Sequence, residues 1–85
     1  MTEKQSDLFE QGEAEAKREK FTNKLHQAEA GDAEAQIFVA WGYFYGKGTE
    51  QNYAAAIPWL HKASERDIPL AWFLLGLCYS DGLGV

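Results

Sequence analysis

The sequence predicts an all-α fold, a solenoid of antiparallel helix pairs. Three observations carry this expectation. Twelve residues are Ala, whereas Val and Ile together number five, and Ala favours helix where β-branched residues favour strand. No stretch alternates apolar and polar residues for long enough to make a half-buried strand. The chain also overlays itself at a shift of 36 residues: Ala35 falls on Ala71, Val39 on Leu75, Ala40 on Gly76, Tyr43 on Tyr79, Gly46 on Gly82 and Gly48 on Gly84. A fixed period of about 20–50 residues is the mark of stacked repeats.

Each helix is then placed by its own punctuation. Ala14, Phe21, Leu25 and Ala28 recur at offsets of 7, 4 and 3 and make one apolar stripe on a helix of about residues 8–29. Gly31-Asp32 reads as a stop followed by a start, because Gly suits a helix C′ position and Asp an N-cap. The next helix is expected over about Ala33–Tyr45, broken by Gly46-Lys47-Gly48. Asn52 caps a helix of about Tyr53–Arg66, in which Pro58 removes the bond to the Ala54 carbonyl and should bend the axis. Pro69 suits the first turn of a last helix running to about Ser80, with Gly82 and Gly84 after it. Gly76 lies inside that helix, where a small residue usually lets a neighbouring helix approach closely.

Composition divides the chain and excludes partner classes. Residues 1–34 hold 9 acids, 5 bases and two aromatics, Phe9 and Phe21; residues 35–85 hold 4 acids, 3 bases and ten aromatics. The first part, about 1–30, reads as a charged, solvated helix with a partly disordered start, and 31–85 as the packed body, within a single domain. A net charge of −5 disfavours nucleic acid and anionic membrane, which want a basic face. No apolar run approaches the ~18 residues of a membrane span. The opening Met1-Thr2-Glu3-Lys4 lacks the order of a signal peptide, so the expected compartment is the cytoplasm.

Ala35-Gln36 through Gly46-Lys47-Gly48, then Asn52-Tyr53-Ala54-Ala55-Ala56-Ile57 and Trp59-Leu60-His61-Lys62-Ala63, resembles one full Sel1-like repeat. This full repeat covers about 35–70. Ala71, Leu75-Gly76, Tyr79 and Gly82-Leu83-Gly84-Val85 resemble the first half of a second, over 71–85. Leu25 to Gly31 looks like the end of a degenerate preceding one. Departures from the family pattern are Ala40 for Gly, Thr49 for Val, Asn52 for Asp, and Pro58. The resemblance implies an α-solenoid, about one and a half repeats plus an N-terminal helix, related to tetratricopeptide repeats and acting as a non-catalytic interaction scaffold or adaptor.

No catalytic, cofactor or metal site is expected. Gly46-Lys47-Gly48-Thr49 looks like the end of a phosphate loop, but a helix precedes it, Gly48 separates Lys47 from Thr49, and the second copy drops both. His26 with Glu29, Lys62 with Glu65 and His61 with Glu65 are spaced as exposed helix pairs. Two His residues cannot build the converging carboxylate–His set of a helical metal site. Cys78, in an apolar stretch near a helix end, reads as a small buried hydrophobe.

By the repeat pattern Ala35, Val39, Ala40 and Tyr43 face the partner helix of their unit, as do Ala71, Leu75, Gly76 and Tyr79, and Tyr53, Ile57, Trp59, Leu60 and Ala63 are core. Ile37, Trp41, Phe44 and Tyr45 remain on another face, with Phe73 and Leu77 among their counterparts one repeat on. In related solenoids this face of the first helix lines the concave groove, which implies a protein or peptide partner there. Alternatively the N-terminal helix or a neighbouring repeat covers it. The last helix, apolar on more than one side through Leu74, Leu75, Leu77 and Cys78, predicts a second possibility: a structural fragment that forms homo-oligomers through this open end.

Overall fold

The predicted breaks are helix ends in the computed structural model, which describes the backbone of residues 2–85 and the side chains from Glu15 onward. Helix α1 spans Thr2–Glu29, α2 Ala33–Tyr45, α3 Tyr53–Ser64 and α4 Pro69–Asp81. Among the described residues there is no strand. The caps are those the residue types dictate: the Ala35 amide donates to Asp32 Oδ1 at 2.9 Å, and the Ala55 amide to Asn52 Oδ1 at 3.0 Å. Helix α3 runs through Pro58, which is exposed, so solvent reaches the backbone position that lacks its hydrogen bond.

Helix α1 starts six residues before the predicted boundary. Its stripe is turned to α2: Phe21 and Ala28 are buried and Leu25 half-buried, while Ala14 lies outside the described side chains. Two core clusters result. Phe21, Ala28, Ala35 and Val39 form one between α1 and α2. Ala40, Phe44, Ala56, Leu60, Leu74, Leu75 and Cys78 form the other between α2, α3 and α4. Tyr43 and Trp59 pack against both and join them. Substantial packing runs α1 on α2, α2 on α3 and α3 on α4. The molecule measures 50 × 29 × 17 Å, thin in one direction as two helix layers of about 10 Å should be.

The repeat extends further back than the residues that resemble one another. Gly31 has φ 104° and Asp67, 36 positions later, φ 56°; both lie between a second helix and the next first helix. A Cβ on Gly48 would sit 2.8 Å from the Lys17 carbonyl oxygen and 3.0 Å from Phe21 Cβ on α1; one on Gly84 would sit 2.7 Å from the Ala54 amide on α3. The same loop position thus presses on α1 in one unit and on α3 in the next. Helix α1 therefore occupies the place of α3 one repeat earlier.

Gly48→Ala should lower stability by about 1–3 kcal/mol, since it adds a left-handed L-residue and pushes against α1 backbone. Gly76→Ala is the matched control: it is exposed, with nothing within 4 Å of the added Cβ, and should gain about 1 kcal/mol of helix propensity. Urea midpoints moving in opposite directions confirm both, and an unchanged midpoint for Gly48→Ala would mean that the loop does not dock on α1.

Two expectations about α4 are corrected. Gly76 admits no close helix. Its counterpart Ala40 is fully buried, in the core cluster that α3 shares, and the tight glycine is instead Gly42, whose Cβ would meet Phe21 Cε2 at 2.8 Å. Tyr79 is 57% exposed, not packed as Tyr43 is. Tyr43 stands edge-on to Phe21 of α1 at 5.1 Å, whereas Tyr79 lies against α3, its hydroxyl 3.0 Å from His61 Nε2.

Candidate functional site

The register of α2 decides what it shows to solvent. Ala35, Gln36, Val39, Ala40, Gly42 and Phe44 are buried against α1 and α3. Phe38, Trp41 and Tyr45, spaced by 3 and 4, make one stripe on the remaining side, with Phe38 half-buried against the α1–α2 core at its margin. The Trp41 and Tyr45 rings lie 5.6 Å apart, tilted by 55°. Trp41 is half-buried and Tyr45 is 46% exposed. At the α1 edge of the stripe the Lys20 and Lys24 ammonium groups stand 5.5 and 5.8 Å from the Phe38 ring centre.

The six residues expected on the groove face divide. Trp41 is half-buried and Tyr45 exposed on α2. Ile37 and Leu77 are half-buried and pack against the α2–α3–α4 core, and Phe73 is 60% exposed on α4. Phe44 is corrected: it is 5% exposed, inside the core, with the Tyr53 ring edge-on at 5.1 Å. Four residues beyond Ala40 is about one helical turn, so Phe44 follows Ala40 onto the side that α3 covers. Phe38 is the residue that sequence reasoning missed. Its signal was the 3–4 spacing to Trp41 and Tyr45, which the 36-residue period does not repeat: its counterpart Leu74 is fully buried.

A second apolar surface lies on α4, where Leu70, Trp72, Phe73 and Tyr79 are 42%, 59%, 60% and 57% exposed. Leu74, Leu75 and Cys78, expected to open this end, are buried instead. With Ala71 they share one face by their 3–4 spacing, and that face is the one turned to α3.

An open cleft of about 650 Å³ between α1 and the α2–α3 loop is lined by Lys17, Arg18 and Glu50 beside Phe21, Leu25 and Gly48. The Gly46-Lys47-Gly48-Thr49 loop cannot wrap a phosphate there, because Gly48 lies against α1 backbone. Burial pushes the Cys78 thiol up, which keeps it protonated and a poor nucleophile. Among the described residues no group of three or more His, Cys, Asp or Glu could hold a metal ion. No described helix is long and apolar enough to cross a membrane.

Comparison with known proteins bears on this architecture. The sequence model of the Sel1 repeat matches residues 33–68 and 69–85. A solved protective antigen present in uropathogenic Escherichia coli strains, displaying an SLR fold, is 35% identical, with a TM-score of 0.78 over 81% of this chain and 15% of its own. A Sel1 repeat protein from Oxalobacter formigenes is 29% identical, with a TM-score of 0.74 over 80% of this chain and 28% of its own. The chain thus spans less than a third of either neighbour. No curated protein matches it.

Proposed function

Because the chain belongs to the Sel1 repeat family, we propose that it is a non-catalytic interaction module, an adaptor that docks a protein or peptide on the groove-facing side of its first helices. Sel1 repeats generally mediate protein–protein contact. The observation that carries the reading is the Trp41–Tyr45 pair, two large rings held together on a face that neither α1 nor α3 covers. Trp and Tyr are the residue types most often central to binding energy. Ile37, Phe73 and Leu77 extend the surface toward α4. The excess of acid disfavours nucleic acid and anionic membrane as partners. A cytoplasmic setting belongs to the same proposal, supported by a single cysteine that is free and buried; fractionation of cells producing the chain checks it.

Trp41→Ala should abolish capture of a partner that the unaltered chain retains, while helical circular dichroism and melting temperature stay close to the original. A variant that loses much of its helical signal would make Trp41 a core residue and remove the docking face.

A second reading is favoured by one specific observation, the exposed apolar surface of α4. Keeping Trp72 and Phe73 wet forgoes roughly 1.5–3 kcal/mol each, so the chain would self-associate through this helix. Sedimentation equilibrium should show mass rising with concentration, and Trp72→Glu should return the chain to monomer. A monomer at millimolar concentration sinks this reading and leaves the first intact.

A further inference from the structure

Resting on the docking face just proposed, we infer that its ligand is an acidic peptide segment carrying an aromatic or large aliphatic residue. The inference starts from the charge that borders the aromatic stripe. Lys20 and Lys24 project from α1 over the ring of Phe38. Four residues apart, they stand on one side of that helix. Among the described residues neither ammonium forms an ion pair or a hydrogen bond. Among those residues each faces the Phe38 ring, whose negative face holds a cation in place without neutralising it. The result is a pair of positive charges, positioned and uncompensated, at the margin of an apolar surface. This runs against the overall charge of −5.

That arrangement fits one ligand chemistry. An apolar side chain seats on Trp41 and Tyr45, and a carboxylate on the same segment reaches Lys20 or Lys24. Both contacts lie on one face: Phe38, beneath the lysines, is one helical turn from Trp41 and two from Tyr45. A basic segment would be repelled at the α1 edge. A purely apolar one would leave the lysines unused. Glu34 lies four residues before Phe38 on α2 and is exposed. Its charge disfavours acid at the start of α2, so the carboxylate is favoured on the α1 side. Charge placed in this way steers approach and selects partners more than it adds raw affinity.

The experiment is selection of random peptides displayed on phage against the intact 85-residue chain, followed by binding measurements on synthesised winners by fluorescence anisotropy. The expected winners carry Asp or Glu within a few residues of Trp, Phe or Leu. Lys20→Glu with Lys24→Glu should weaken them about tenfold. Raising salt from about 0.05 to about 0.5 M should weaken them in the same direction. Trp41→Ala should weaken them about thirtyfold. Neutral or basic winners, no enrichment at all, or indifference to the double charge reversal overturns the acidic ligand. The two readings fail separately. Winners that lose affinity with Trp41→Ala but not with the lysine variant leave the docking face standing without its charge selectivity. Winners indifferent to Trp41→Ala overturn the docking face itself. Circular dichroism of each variant, matching the unaltered chain, excludes unfolding as the cause.

Discussion

Leu74→Glu is expected to unfold the chain, whereas Phe73→Glu, one residue earlier on the same helix, should leave it folded. Leu74 is fully buried in the cluster that fastens α4 to α3, and Phe73 is 60% exposed. Successive helical residues point about 100° apart, so the two side chains meet different surroundings. A carboxylate at Leu74 would lie in an apolar interior without a partner. Its cost of several kcal/mol consumes much of the roughly 4–13 kcal/mol available to a chain of this size. Thermal melts followed by circular dichroism give the answer. A cooperative transition for Leu74→Glu near the original temperature would show that α4 is rotated from the register described. Phe73→Glu also removes apolar surface from the outer side of α4, so it should reduce any self-association.

Leu60→Ala should cost about 2–5 kcal/mol, the range for deleting a fully buried leucine. Leu60 has no exposed surface and stands on α3, the helix that touches both α2 and α4. Neighbouring side chains cannot collapse into the space from either side without disturbing the other contact. Urea denaturation should show a lower midpoint with an unchanged slope. A loss below about 1 kcal/mol would mean that α3 is not the central element of the packing.

Much of this architecture was legible because its signals are local. The limits of α2 follow from Gly31-Asp32 and Gly46, whose conformations and caps depend on a few adjacent residues. The end of α3 was placed two residues too far, since Glu65 and Arg66 carry no stop signal and the turn falls on Asp67, a non-glycine residue with positive φ. Side-chain environment was harder. Tyr43 and Tyr79 hold the same place in the period, yet one lies between helices and the other beside a single helix. Their difference resides in the neighbours, which a sequence offset does not register. Phe44 failed for a related reason. It fell outside the positions that the repeat pattern pairs as core and so was left on the other face, while the structure sets the Tyr53 ring against it. The Lys20, Lys24 and Phe38 arrangement joins two helices, so neither segment alone displayed it.

The strictly successive packing of α1 on α2, α2 on α3 and α3 on α4 has a kinetic meaning. Each helix meets its main partner across one short connection, so little loop entropy is lost before a contact forms. Low contact order of this kind goes with folding in microseconds to milliseconds. It also allows each helix to dock soon after it leaves the ribosome, without waiting for the chain to finish. Unfolding reverses the same sequence from the ends. Helix α4, held on one side, should exchange its amide hydrogens sooner than α2, which is clasped from two. The surface of α2 would then remain assembled through excursions that detach α4, and a partner bound there would not be released by them.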